Sequence, residues 1–213
     1  MVQYAIRNGA NVMDQTHPYN GSLTAEQFLF YEIRIAAKYY VRGLKIEEAI
    51  ERIKKDNLFQ YPTERQVSRL ARACYKRLDA LGNEQLVHEL ASAPNDIAKQ
   101  INLYAVMRYN RLVWEFMIQV IGEKYRNQDM NFSRKDMNAF FSRLQAQDDS
   151  VAAWSDATIT KIKSVLVRML IETGYLDGLK DTTLNPVFLC EELERGIEAN
   201  NDYDALSAFN YFR

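Results

Sequence analysis

The segment from residue 95 to residue 127 constrains the fold most, because large apolar side chains occur on nearly every side of its helical wheel. A helix that is apolar all round is stable only when other elements surround it. We therefore predict that residues 95–127 form a central, buried helical segment, bent near Asn110. Its large apolar side chains are Ile101, Leu103, Tyr104, Val106, Met107, Leu112, Val113, Trp114, Phe116, Met117, Val120 and Ile121.

The rest of the chain has the pattern of helices joined by short turns. Only 8 of its 213 residues are glycine and 4 are proline, so few positions interrupt a helix. Ser and Thr side chains that cap a helix N-terminus, and glycines that end one, divide the chain further. We predict an all-α protein that forms a single multi-helix globule. Its predicted helices are 24–42, 46–56, 63–81, 84–91, 95–127, 134–146, 155–173, 189–199 and 202–212.

Three regions follow from this division: an irregular leader at 1–21, an N-terminal helical unit at 22–93, and residues 94–213. Regions 46–81 and 133–173 share one order of features, namely a helix, a short linker with an aromatic residue, and a capped basic helix. This order is typical of helix-turn-helix motifs, so we predict two helix-turn-helix-like units. Residues 175–188 are a candidate two-stranded wing for the second unit.

The residues that metal sites and enzymes use are scarce. The two cysteines, Cys74 and Cys190, lie in apolar helical patterns, and with His17 and His88 they have no metal-ligand spacing. The chain also has no glycine-rich phosphate loop and no nucleophile elbow. We expect no metal, no cofactor, no small-molecule substrate and no enzymatic activity.

Membrane insertion is not expected either, since a spanning helix needs about 20 mostly apolar residues. The most apolar run, residues 112–121, is shorter and contains Glu115. The N-terminus lacks the basic-then-apolar order of a signal peptide. We therefore expect a cytoplasmic protein.

The helix at 63–81 carries a stripe of positive charge. Four cations recur at spacings of 4, 3 and 4 residues and fall within an arc of about 60°, opposite the apolar face. Together with Arg77, they give five basic residues between 63 and 77 against the single acid Glu64. We interpret this basic stripe as a contact for DNA phosphates, because a helix of this length fits a major groove. The basic stripe consists of Arg65, Arg69, Arg72 and Lys76.

The formal net charge of −1 gives no overall attraction to nucleic acid, so two other interpretations of the stripe stay open. In the first interpretation the stripe is a solvated basic face. In the second it pairs within the molecule with the acidic C-terminal helices. Those helices carry Glu191, Glu192, Glu194, Glu198, Asp202 and Asp204.

A second, weaker pattern of the same kind occurs on helix 155–173. Two small hydroxyl residues point away from its apolar face and have cations on either flank. Small hydroxyls beside cations suit a helix that approaches bases and phosphates closely. This second patch consists of Thr160, Lys161, Lys163, Ser164 and Arg168.

The order of these segments resembles the BrxA family, the small helical component of bacteriophage-exclusion (BREX) defence systems. The similarity covers residues 22–190 and is an ordered series of segments, without one highly specific motif. Its carriers are Ser22-Leu23-Thr24 with Glu32 and Arg34, Asn57-Leu58-Phe59, Thr63 to Arg72, Ala98-Lys99-Gln100, Phe132-Ser133, Phe140-Phe141, Trp154-Ser155, Thr158, Lys161, Val165, Leu170, and Glu172 to Leu176.

The resemblance implies an all-α protein with helix-turn-helix elements that binds double-stranded DNA in a phage-defence system. Other BREX subunits are then possible partners. Together with the stripe, it makes non-enzymatic DNA binding our leading hypothesis. The alternatives are a protein–protein adaptor within a defence complex and a helical RNA-binding protein.

Overall fold

The computed structural model describes residues 18–212. The predicted leader, 1–21, therefore lies mostly outside the described residues. The helices are α1 (Phe30–Val41), α2 (Ile46–Lys55), α3 (Glu64–Leu81), α4 (Glu84–Ser92), α5 (Asn95–Tyr109), α6 (Arg111–Phe116), α7 (Glu123–Arg126), α8 (Arg134–Gln147), α9 (Asp149–Ala152), α10 (Asp156–Glu172) and α11 (Glu191–Ala199). A π-helical turn, Met117–Gly122, joins α6 to α7, and 3-10 turns lie at Ser22–Thr24 and Tyr203–Phe209.

This architecture confirms the all-α prediction, since residues 18–212 contain no β-strand longer than a single bridge. Over the same residues, the helices are too short or too polar to span a lipid bilayer. The two helix-turn-helix-like units stay a prediction. In the first, α2 packs against α3 across the linker 56–63.

The central segment is buried, as its apolar pattern predicts. All side chains from residue 101 to residue 107 are inaccessible to solvent. The helical segment breaks at Asn110, whose side-chain oxygen accepts hydrogen bonds from the backbone N–H groups of Leu112 and Val113, at 3.1 and 3.3 Å. Because Asn110 caps α6 in this way, the bend has a local cause. Helices α3 and α4 pack against α5, and α1 packs against both of them.

The prediction of a helix beginning at Thr24 is wrong. The Thr24 hydroxyl donates to the Gly21 carbonyl, and Leu29 adopts a left-handed conformation with φ of 55°, so α1 begins at Phe30. In such a helix the carbonyls of residues 26–28 would accept hydrogen bonds from the N–H groups of residues 30–32. They instead accept from the guanidinium of Arg77, about 50 residues further along the chain.

The prediction of a two-stranded wing at residues 175–188 is also wrong. The Asn185 N–H donates to the Tyr175 carbonyl at 2.9 Å, but the two segments form no strand pair, and the polar stretch before Val187 pairs instead with the segment that precedes α8. The Phe132 N–H donates to Thr182 and the Leu184 N–H donates to Met130, at 2.8 and 2.7 Å. These contacts leave one isolated antiparallel bridge, between Asn131 and Thr183.

Replacing Gly122 with alanine is expected to lower the free energy of unfolding by about 1–3 kcal/mol, the usual cost of overpacking a core. A Cβ at this position would lie 2.6 Å from Ser207 Oγ and 3.1 Å from the Ser207 carbonyl carbon. The 3-10 turn Tyr203–Phe209 would therefore have to move away from the π-helical turn. Urea denaturation measures the change. Gly178→Ala is the control, because its Cβ would meet Asp181 Oδ2 at an ordinary 3.6 Å. Equal stability of the two variants would contradict the prediction.

Candidate nucleic-acid interface

Helix α3 is bounded by local signals. The Thr63 hydroxyl accepts a hydrogen bond from the Gln66 N–H at 3.3 Å and caps the first turn. Gly82 ends the helix with φ of 60°, a conformation that glycine adopts without steric cost. One face of α3 is buried against α1, α2 and α5. On the opposite face, all four members of the basic stripe are exposed: Arg65, Arg69, Arg72 and Lys76.

Arg77, counted above with the basic residues of this helix, points inward and is 1% exposed. Its guanidinium donates to the carbonyls of Glu26, Gln27 and Phe28 at 2.5, 2.7 and 2.9 Å. Burial lowers the pKa of Arg77. The positive surface of α3 therefore comes from the four stripe residues, and Arg77 holds the loop before α1.

Arg72 is partly neutralised by α2. Its Nη1 lies 3.1 Å from Glu47 Oε1, and this hydrogen bond lowers the pKa of the Glu47 carboxyl. The acidic helix α11 packs elsewhere, against α4 and α5. This arrangement favours a solvent-facing stripe over intramolecular pairing with the C-terminal helices.

The second patch lies on α10, which begins after Ser155, whose hydroxyl accepts from the Thr158 N–H at 3.2 Å. Lys163 is half-buried: its Nζ donates to Asn138 Oδ1 at 2.8 Å and lies 5.1 Å from the ring centroid of Phe141. Lys163 thus ties α10 to α8. The other four members of the patch are exposed to solvent: Thr160, Lys161, Ser164 and Arg168.

One cleft of about 670 Å³ separates part of the stripe from the C-terminal end of α10. Gln66 and Arg69 of α3 lie on one side and Glu172 of α10 on the other, and residues before and within α1 form the floor. Arg168 lies one helical turn before Glu172. The structure therefore brings Arg69 of α3 and Glu172 of α10 to the same cleft, and the second patch ends one helical turn before Glu172.

The inside of this cleft is acidic. Tyr61 donates its hydroxyl hydrogen bond to Glu32 Oε1 at 2.7 Å, and burial together with this bond raises the pKa of Tyr61 to about 12. Burial also raises the pKa of Glu172. An anion is therefore favoured at the edge of the cleft beside Arg69, and not at the floor, where Glu32 lies.

Two further cations near this cleft were not predicted as part of a basic patch. Lys99 Nζ of α5 and Arg34 Cζ of α1 each lie 5.8 Å from the ring centroid of Phe30, which lines the cleft. They stand on different helices, so no periodic spacing relates them. Lys99 acts on the α10 side of the cleft, where its charge lowers the pKa of Glu172. Arg34 instead donates to Asn95 Oδ1 and to the Ala93 carbonyl, at 2.5 and 2.8 Å.

Residues 18–212 bring no three His, Cys, Asp or Glu side chains together as candidate metal ligands. The exposed guanidinium, ammonium and hydroxyl groups of α3 and α10 can form ion pairs and hydrogen bonds with an extended anion.

Comparisons with known proteins agree with one another. The family model described as BrxA matches residues 17–201. A protein of Bacillus cereus strain H3081.97, named BREX protein BrxA, is 33% identical over 162 residues, which cover 76% of this chain and 80% of the relative. A BREX protein BrxA of Escherichia coli O9:H4 strain HS is 22% identical over 199 residues, 93% of each chain. The crystal structure of an uncharacterized protein from Magnetospirillum magneticum shares the fold, with a TM-score of 0.77, 21% identity, and coverage of 90% of this chain and 97% of that one.

Proposed function

Because the chain belongs to the BrxA family of bacteriophage-exclusion (BREX) defence systems, we propose that it acts in phage defence by binding double-stranded DNA without catalysing a reaction on it. The observation that carries this proposal is the row of four exposed cations on α3, opposite the buried face of that helix. Like charges in a row repel one another, and a polyanion offsets that repulsion.

The size and charge of α3 suit a DNA groove. Its 18 residues make a helix about 27 Å long, and B-DNA has a major groove about 12 Å wide. Arg65, Arg69 and Lys76 make no recorded ion pair within residues 18–212, so their charges are available to phosphates. Contacts with phosphates supply most of the affinity of a non-specific DNA-binding protein.

The second patch extends the same surface. Since Arg69 of α3 and Glu172 of α10 line one cleft, and Arg168 lies one helical turn before Glu172, a single duplex that lies across the cleft would contact both helices. The hydroxyls of Thr160 and Ser164 are then the groups suited to hydrogen bonding with base edges or phosphates. The acidic floor keeps the phosphates on the rims.

The test is fluorescence anisotropy of a labelled duplex of about 20 bp, titrated at several salt concentrations. We expect Arg65→Glu/Arg69→Glu to weaken binding by about 100-fold or more, and to reduce the slope of log K against log[salt] by about 0.9 for each lost phosphate contact. Both residues are exposed, so the variant should unfold at the same urea concentration as the wild type.

The matched control is Lys180→Glu/Arg195→Glu, which reverses two exposed charges outside both patches and should bind like the wild type. Absence of wild-type binding at low salt would refute the proposal and leave an adaptor role within the defence complex. Double-stranded RNA should compete poorly for the protein, because the deep, narrow major groove of A-form RNA excludes a helix. Equal competition would therefore contradict binding of α3 in a DNA groove and favour an RNA-binding protein.

A further inference from the structure

The cleft between α3 and the end of α10 contains an exposed aromatic ring for which phosphate binding gives no role. Tyr31, in the first turn of α1, lines this cleft and is 54% exposed. Within residues 18–212 it makes no hydrogen bond and packs on no other aromatic ring. An exposed ring of this kind is a stacking surface for a planar group.

The charges around the cleft favour an ion of neither sign. Glu32 and Glu172 repel a phosphate from the interior. Arg69 at the edge, and Lys99 beside Glu172, repel a cation. Since attraction to one set of charges is offset by repulsion from the other, the cleft favours a neutral group that both donates and accepts hydrogen bonds.

The uncharged polar groups of the cleft match the edge of a nucleobase. The side-chain amides of Gln27 and Gln66 line it, and neither amide makes a hydrogen bond within residues 18–212. Each amide both donates and accepts. Tyr61 donates to Glu32 Oε1, which leaves Glu32 Oε2 for another N–H donor. Amide side chains commonly bind adenine, and carboxylates accept from the amino group of cytosine.

We propose, on the basis of the DNA binding proposed above, that this cleft binds one unpaired nucleobase of a DNA strand whose phosphates lie on the basic stripe. The base stacks on Tyr31, and its polar edge forms hydrogen bonds with Gln27 and Gln66. Arg69 belongs to both the stripe and the cleft, so a strand bound to the stripe carries its bases past the mouth of the cleft. The volume of about 670 Å³ is in the range of pockets that bind small molecules.

The test is fluorescence anisotropy of the full chain at low salt with three labelled duplexes of about 20 bp. One contains a single unpaired cytosine at its centre, the second has an abasic residue in place of that cytosine, and the third is fully paired. The abasic duplex keeps the extra phosphate and the distorted backbone, so it isolates the contribution of the base. We expect the wild type to bind the cytosine duplex about tenfold more tightly than either of the others, the gain typical of stacking one base on an aromatic side chain.

Three variants locate the base. Tyr31→Ala should remove the preference for cytosine and leave the affinity for the paired duplex unchanged, because Tyr31 is not part of the stripe. Tyr203→Ala is the matched control, since Tyr203 is 52% exposed and lies outside the cleft, and it should keep the preference. Arg65→Glu should weaken binding of all three duplexes by the same factor, because Arg65 belongs to the stripe but does not line the cleft. All three residues are exposed, so each variant should unfold at the same urea concentration as the wild type.

Equal affinity of the wild type for the cytosine and abasic duplexes would overturn this inference and leave the proposed DNA binding intact. A preference for cytosine that Tyr31→Ala retains would also overturn it, because the base would then lie elsewhere on the protein. Absence of binding to all three duplexes would refute the proposed function and this inference together, so the two failures are distinguishable.

Discussion

Arg77→Leu is expected to lower the free energy of unfolding by about 3–5 kcal/mol, because three backbone carbonyls lose the hydrogen bonds of a charged donor. The side chain is 1% exposed, and its guanidinium donates to three successive backbone carbonyls in the loop before α1. Leucine fills part of the volume but leaves these carbonyls without that donor. A buried polar group that loses its partner costs about 1–3 kcal/mol. Urea denaturation followed by circular dichroism measures the effect.

Lys76→Leu is the matched control for this prediction, because Lys76 is the preceding residue on the same helix and is exposed. It should change the unfolding free energy by about 0.5 kcal/mol or less. An equally small effect of Arg77→Leu would mean that the loop is held without the guanidinium. Asn102 is the residue to substitute next, since its Nδ2 also donates to the Phe28 carbonyl, at 2.9 Å.

Arg108→Leu is the second large expected effect, again about 3–5 kcal/mol, because it leaves a buried carboxylate without its cation. Arg108 Nη1 lies 3.4 Å from Asp202 Oδ2, and the two side chains are 8% and 1% exposed. The Tyr104 hydroxyl donates to the same carboxylate at 2.7 Å, and Asn200 Nδ2 donates to Tyr104 and to the Leu81 carbonyl. This network fastens the segment after α11 to the end of α3.

The effect of Arg108→Leu should depend on pH. Burial already raises the pKa of Asp202 in the folded protein, and loss of Arg108 raises it further. A carboxyl with a raised folded pKa stabilises the protein below its unfolded pKa, and this stabilisation is lost as pH rises through the folded pKa. The difference in free energy of unfolding between the wild type and Arg108→Leu should therefore be largest at about pH 7.5 and smaller at about pH 5.

Urea denaturation of wild type and variant at both pH values checks this sign. Arg195→Leu is the control: its ion pair with Glu191 is exposed, with side-chain accessibilities of 66% and 78%, and should contribute at most about 0.5 kcal/mol. If the loss of unfolding free energy in Arg108→Leu stays constant or grows as the pH falls, Asp202 is not the group left unpaired.

Local signals in the sequence predicted the structure correctly. The Thr63 cap and Gly82 set the bounds of α3 through contacts within a few residues, and the Ser133 and Ser155 caps do the same for α8 and α10. The buried central segment and its break at Asn110 follow from an apolar pattern and one side chain that caps the next turn. The basic stripe lies on the exposed face of α3 because a helical period fixes which residues share a face.

The predictions for residues 24–29 and 175–188 were wrong because groups distant in the sequence bind the backbone there. The pattern at residues 24–29 favours a helix, but Arg77 takes the carbonyls that this helix would use. The stretch after Tyr175 has turn residues and apolar ends typical of a hairpin, but it pairs with residues 130–132. The cleft between α3 and the end of α10 is lined by residues from distant parts of the chain, so no single segment reveals it.

By itself, therefore, the sequence determined the helical class, the bounds of the capped helices α3, α8 and α10, the central buried segment and the face on which the basic stripe lies, since these depend on interactions that span one or two helical turns. The tertiary structure decided which cations are exposed and which are buried, as Lys76 and Arg77 show at adjacent positions. It also decided that Arg69 of α3 and Glu172 of α10 line one cleft. The carbonyl partners of Arg77 lie about 50 residues away, and Arg69 and Glu172 are about 100 residues apart, so only the packing of the helices brings them together.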